Sequence, residues 1–406
     1  MLSFLKRRRR ASAGATQWFE YPGTFQARSL SRDYLSLAEA GFRENPVVFR
    51  AVRDIAAAVA EVPLLLYSAS GVEFSKHPLL TLLNRPNPQQ SGGAFFEEAA
   101  THLLLAGNVF IECIRDDAGN PRELWLLRPE RMQVIPGAHG VAAGYVYRLG
   151  DTEKEWSADA VSGLSAILHL KSSNPLDDWY GLAPLEVAAG AIEQYNAAEV
   201  WNQALLSNGC RPSGALVVEG GKEGSGSLSE EQFLRLRSEL DGQYSGAVNA
   251  GRPMLLEGGL KWTSMMLSPQ DMDFLDMRHA AARAIATAFG YPPMLLGIPG
   301  DNTYSNQKEA RLALWEQTVL PLFNALAGGL SRWLSAWTDD NVRLAGDMDA
   351  LSALLPRREA LWERINAATF LSDAEKREAL GYGSGSGSGA NQKAALKKKQ
   401  LPKNSH

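Results

Sequence analysis

Six histidines, His77, His102, His139, His169, His279 and His406, are the side chains best able to hold a metal or move a proton near neutral pH. They are scattered. There is no HExxH pair and no His/Cys ligand spacing, so the sequence spells no zinc site. His279 falls in a helical pattern and reads as a packed helix residue. Cys113 and Cys210 lie far apart, which fits a reducing compartment and argues against a disulfide framework. The paired acids Asp177-Asp178 and Asp339-Asp340 read as solvated turns. No GxxxxGK[ST] phosphate loop occurs: the Gly221-Lys222 pair lacks both the first glycine and the hydroxyl residue. No GxSxG nucleophile elbow is present. Catalytic groups can be distant in sequence, so an enzyme stays open, but nothing argues for one, and no cofactor is expected.

One stretch remains conspicuous, YPPMLLGIPGDNTYSNQKEARLALW from residue 291. A short apolar run leads into Gly300, Asp301, Asn302, Thr303, Tyr304, Ser305 and Asn306, a small, polar, bendable loop with neither lysine nor arginine. Long helical patterns lie on both sides.

The elements that place this loop can be read in order. ENPVVFRAVRDIAAAVAEVP is a helix with Asn45 as cap and Pro46 at its first position. Val48, Val52, Ile55 and Val59 share one face. PLLLYSASGVEF reads as a hairpin, and SGGAFFEEAATHLLLAGN as a helix ended by Gly107-Asn108. VFIECIRDDAGNPRELWLLRP reads as two strands about a turn at Asp117 to Asn120, and AGYVYRL and SAILHLK as further strands. Residues 41–183 therefore form a mixed α/β domain.

From Pro184 the pattern changes to a long helix, 184–208, with Leu185, Ala189, Ile192, Tyr195, Ala198, Trp201 and Leu205 in one stripe. A second, 268–290, starts at Ser268-Pro269 with Asp271, Asp273 and Asp276 near its positive end. Its stripe is Met272, Leu275, His279, Ala282, Ile285 and Phe289. Between the two, 209–267 is a small insert: a strand in SGALVVEG, a helix in LSEEQFLRLRSELDGQY capped by Ser229, and two strands in RPMLLEGGLKW. After the loop a third helix runs from Ser305 to Trp337, with Pro321 expected to kink it. Two short helices close the ordered part, at 338–382. The stretch GYGSGSGSGANQ is a flexible linker.

Composition and charge bound the function classes. The chain has 406 residues, of which 45% are hydrophobic and 21% charged, which is ordinary for a globular protein with a sizeable core. The longest apolar run, IAAAVAEVPLLLY, is too short to span a bilayer. The start MLSFLKRRRRASAGA is not ordered like a signal peptide. Lys6 and Arg7 to Arg10 place +5 in the first ten residues, and Lys393, Lys397, Lys398, Lys399 and Lys403 place +5 in the last sixteen. With a net charge of −4, residues 11–390 carry −14. The two tails read as solvated ends or as contacts to nucleic acid or an acidic surface. Residues 184–289 hold thirteen acids and eight bases, a net of −5.

Four segments carry a resemblance in their order and spacing. NPVVFRAVRDIAAAVAEVPLLLY, LLLAGNVFIECIRDDAGNPRELWLLRPERMQV, ILHLKSSNPLDDWYGLAPLEVA and LSPQDMDFLDMRHAAARAIATAFGYPPMLLG together resemble the HK97-like portal family of tailed bacteriophages, and gene-transfer-agent portals are similar. One departure is Gly181-Leu182-Ala183-Pro184, where the family often has Gly-Leu-Ser-Pro. That puts a helix cap in doubt.

The resemblance implies an α+β portal fold: a basic arm (1–40), a wing (41–183), two stem helices (184–208 and 268–290), and a clip (209–267). A tunnel loop (291–305), a kinked helix (306–337), crown-like helices (338–382) and a tail (383–406) complete it. It implies a ring of about twelve subunits at one capsid vertex, with double-stranded DNA passing through its centre. It implies that the ring is assembled in the host cytoplasm, docks the large terminase and later a head-tail connector or adaptor, and contacts the major capsid protein but no membrane. Tunnel-loop residues would be Gly300 to Asn306. Stem packing would fall to Leu185, Ile192, Tyr195, Trp201, Leu205, Met272, Leu275, Ile285 and Phe289, and clip docking to Glu230, Glu231, Arg235, Arg237 and Lys261. A phage nucleic-acid enzyme without a recognisable motif, and a monomeric adaptor, remain the alternatives.

Overall fold

A computed structural model of the chain describes residues 34–137, 140–207, 214–218, 230–231, 234–236, 238, 260–264, 274–298, 304–338 and 341–380. The opening helix α1, Tyr34–Leu37, runs into a π-helical turn, Ala38–Arg43. Helix α2, Pro46–Ala60, starts as its sequence dictates. The Asn45 side chain accepts from the amides of Val47 and Val48, and Pro46 gives up no bond at the first position. Val48, Val52, Ile55 and Val59 are each at most 1% exposed. Each such burial stabilises by roughly 1.5–3 kcal/mol, which fixes α2 as a central rod of the core.

Strand β1 (Leu64–Ser68) and helix α3 (Pro78–Asn84) follow. The expected hairpin at 63–74 is present though short: the Ser68 and Phe74 amides donate to the Val72 and Leu66 carbonyls at 2.8 Å, on either side of a Tyr67–Glu73 bridge. The longer ladder of β1 is with β10, Val342–Gly346, in antiparallel register from Leu64 opposite Gly346 to Ser68 opposite Val342. Val342 and Leu344 of β10 are buried in the core beside Leu66 of β1. Helix α4, Gly92–Ala106, ends where Gly107 turns left-handed at φ 67°. Strands β2 (Asn108–Arg115) and β3 (Pro121–Leu127) then pair about the expected turn.

Strands β4 (Met132–Pro136), β5 (Ala142–Leu149) and β6 (Thr152–Ser157) form a second antiparallel sheet, while β7 (Ile167–Lys171) joins the other side of β2. Strand β6 escapes a hydrophobicity reading because TEKEWS is almost wholly exposed at a sheet edge. A small core of Phe110, Met132, Val134, Tyr145 and Ile167 joins these two sheets. His169 stacks on Phe110 with centroids 4.1 Å apart.

The first long helix is interrupted once, between α5 (Pro184–Val187) and α6 (Ala189–Ser207). Ala183 supplies no side-chain cap, as the departure from Gly-Leu-Ser-Pro foretells. Strands β8 (Gly214–Val218) and β9 (Leu260–Ser264) pair antiparallel in the insert. Residues 230–231, 234–236 and 238 between them are helical; Ser229 and the other expected insert strand, in RPMLLEGG, lie outside the described residues. Helix α7 covers Phe274–Ala288, and its expected cap at Ser268 also lies outside them.

After the loop come α8 (Tyr304–Leu314), a π-helical turn (Trp315–Val319) and α9 (Leu320–Ser335). Pro321 does not break this helix. It sits in the first turn of α9, and the wider π turn just before it absorbs the missing N–H and makes room for the ring. Helices α10 (Leu355–Ala367) and α11 (Asp373–Ala379) close the described chain. A single large core joins α2, α4, α5, the inner ends of α6 and α7, α9, β1 and β10. Among the described residues, no helix is long and apolar enough to cross a membrane.

Candidate channel loop and its anchorage

The entry to the first long helix is locked by close backbone approach. A Cβ on Gly181 would lie 2.1 Å from the Gly107 carbonyl oxygen. Asn108 Oδ1 accepts from the Gly181 amide at 2.8 Å and lies 3.0 Å from His169 Nε2. The Ser172 amide donates to Gly107 at 2.8 Å. The Gly-Asn and Gly-Leu-Ala-Pro stretches therefore meet in space, one ending α4 and the other opening α5.

Helices α6 and α7 then bury a shared face. Leu185, Ile192, Tyr195, Ala198, Ala282, Ile285 and Phe289 are all buried. Arg278 donates to the Tyr195 hydroxyl at 2.9 Å, lies 3.3 Å from Glu199 and stands over the Tyr195 ring. Asn196 bonds both Asn45, at 2.9 Å, and the Ala40 carbonyl, at 2.8 Å, tying α6 to the cap of α2. Trp201 is half-buried, and Leu205 lies in the last turn of α6. The expectation for Leu275 needs correction. It is 68% exposed, because the start of α7 extends beyond the core that receives Ile285 and Phe289. Met272 lies outside the described residues.

The loop leaves α7 through a Schellman cap. Gly290, at φ 65°, donates to Thr287, and the Tyr291 amide donates to Ala286 at 2.8 Å. Thr318, in the π turn, donates to the Gly290 carbonyl at 2.6 Å. A 3-10 turn, Pro293–Leu296, ends at Gly297, φ 74°. The Tyr291 hydroxyl donates to Asp54 at 2.8 Å, across 237 positions of sequence. Burial, with Asp54 beside it, pushes the Tyr291 pKa up to about 12, so the hydroxyl keeps its proton.

Of the expected loop residues, Gly300, Asp301, Asn302 and Thr303 lie outside the described residues, while Tyr304, Ser305 and Asn306 open α8. Of the expected docking residues, Glu230, Glu231 and Arg235 are exposed and helical, Lys261 is exposed on β9, and Arg237 lies outside the described residues. Among the described residues no group of three or more His, Cys, Asp or Glu could hold a metal. Asp54, Thr318 and Arg278 carried no sequence signal, since each partner is remote. Gly290 did carry one, as a glycine directly after a helical stripe.

Comparison with known proteins places this architecture. A chain from the neck of an empty gene transfer agent particle, a structure computed with C6 symmetry, superposes with a TM-score of 0.68 at 47% identity, covering 86% of this chain and 94% of that one. A chain from the neck of a native particle, computed with C12 symmetry, gives 0.66 at 46% identity, covering 86% of this chain and 93% of that one. An uncharacterized protein of Rickettsia bellii is 44% identical over 341 residues, 84% of this chain and 87% of the relative. The portal protein of Enterobacteria phage HK97 is 24% identical over 295 residues, 71% of this chain and 66% of its own. This mixed helix-and-strand fold is similar to that of the gene transfer agent neck chains. A family model described as phage portal protein matches residues 46–381, and the chain belongs to that family as a portal subunit. The family is structural rather than enzymatic.

Proposed function

We propose that about twelve copies of this chain form a ring at one vertex of a capsid, and that double-stranded DNA is packaged and ejected through its centre. The observation that carries this reading is the match to chains in particle necks, at 46–47% identity over nearly their whole length. On it, residues 41–183 are the wing, α5–α6 and α7 the stem, 209–267 the clip and 291–305 the tunnel loop; of the 338–382 expected as crown helices, β10 lies on β1 of the wing, which leaves α10 and α11 as the crown. The ring assembles in the host cytoplasm and becomes part of the particle.

Charge supports the reading. A channel for moving DNA must touch phosphates without holding them, because each lysine or arginine that pairs with a phosphate adds affinity and salt dependence. Gly300 to Asn306 contain neither. The net of −5 over residues 184–289, multiplied by twelve subunits, gives a stem and clip near −60. The sequence contains no GxxxxGK[ST] motif, which fits packaging driven by a separate motor. The large terminase is its natural identity, docking through Glu230, Glu231, Arg235, Arg237 and Lys261. The same face later takes a head-tail connector, and the wing side meets the major capsid protein.

The test is the mass of the purified native protein. At 44.2 kDa per chain, twelve subunits give about 530 kDa. Closed particles near that mass are expected. A monomer at every concentration would reject the ring and favour an adaptor role.

A further inference from the structure

The 3-10 turn at the root of the loop, Pro293–Leu296, contains no fully buried side chain. On one side it borders an open cleft of about 390 Å3, lined by Arg50, Asp54, Met294, Leu295, Arg311 and Trp315 among others. Leu295 and Leu296 pack against the core but stay only partly buried, so packing leaves part of the anchorage to polar bonds. Two polar bonds span from it to the core. One is Thr318 to the Gly290 carbonyl at 2.6 Å. The other is Tyr291 to Asp54, with Asp54 itself oriented by Arg50 at 2.5 Å, one helical turn earlier on α2. Tyr291 is 2% exposed, so its hydroxyl has little water to fall back on if Asp54 is lost. Helix α2 lies in the large core, with Val48, Val52, Ile55 and Val59 buried. The left-handed glycines Gly290 and Gly297 bracket the turn.

We propose that Tyr291 and Asp54 are positioning residues: their hydrogen bond is a strut that fixes the turn Pro293–Leu296, at the root of the loop, on α2. Its consequence for DNA rests on the channel reading above; the strut itself does not.

The experiment is residue-resolved hydrogen exchange on the full-length assembled protein, comparing wild type with Tyr291→Phe, Asp54→Ala and the double variant. Tyr291→Phe keeps the ring and removes only the hydroxyl. A hydrogen bond to a charged partner contributes about 1.5–3 kcal/mol, so each single variant should speed exchange at the Leu295 and Gly297 amides by about tenfold or more. The double variant should add nothing further, because both changes break one bond. Exchange across 92–106, in α4, should stay at the wild-type rate. Unchanged exchange at Leu295 and Gly297, additive effects, or equal acceleration in α4 would each overturn the strut, the last by showing a general loss of core stability. Packaged DNA per particle is measured in parallel. Faster exchange with less DNA packaged supports both readings. Faster exchange with wild-type packaging supports the strut and rejects the channel role of this loop.

Discussion

Gly328 and Gly329 stand side by side in α9, and space around them separates their roles. A Cβ on Gly328 meets nothing within 4 Å, whereas one on Gly329 would come within 2.3 Å of Leu170 Cδ2 and 2.8 Å of its Cδ1. Gly328→Ala should therefore stabilise, by about 0.5–1 kcal/mol, through helix propensity and a less free unfolded chain. Gly329→Ala should destabilise by about 1–3 kcal/mol, because the whole head of Leu170 must shift. Urea midpoints of the two variants check this, and equal shifts would show that the α9–β7 contact is looser than described. At this scale the sequence was partly legible. Asn45, Pro46 and Gly107 announced their roles through local spacing, since caps and helix stops act on neighbours. Asp54 and Tyr291 announced nothing, because a bond between residues 237 apart leaves no local pattern.

Elements were most legible where one face is apolar. The stripes of α2 and the inner halves of α6 and α7 follow the 3.6-residue period, and all their central positions are buried. Ile192 and Ile285 are both wholly buried there. Changing either to Asp would leave an unpaired charge in an apolar seam and remove core packing, at a cost of about 4 kcal/mol or more. Soluble, assembled protein at wild-type yield from both variants would mean that this seam does not hold the helix pair. The pairing of β1 with β10 was not legible, because a strand pattern does not name its partner. The π turn at Trp315–Val319 was also hidden: proline in a helical pattern signals a disruption but not the form it takes.

The whole molecule is where residues alone ran out and resemblance did most. A small polar loop between long helices reads as an ordinary surface connection until the order of all the elements is taken together. The basic arm is the simplest part to test at this scale. Residues 1–10 carry +5 and no apolar periodicity to pack, so deleting them should leave particles of about 530 kDa intact. Loss of those particles on a sizing column would make the arm part of the assembly.

The central claim, that residues 300–304 line a passage for DNA, is tested most directly by changing Asp301, Asn302 and Thr303 together to Lys. Removing one acid and adding three bases shifts the loop by +4, and twelve copies would shift the channel by about +48. Each lysine that meets a phosphate steepens the dependence of binding on salt. The measurement is packaged DNA per particle for wild-type and triple-lysine subunits, with DNA binding by isolated rings at low and moderate salt. The account predicts normal ring assembly, DNA held more tightly by isolated rings and released steeply as salt rises, and markedly less DNA packaged. Equal packaging, with no added salt sensitivity of binding, would contradict it and leave the loop a surface connection.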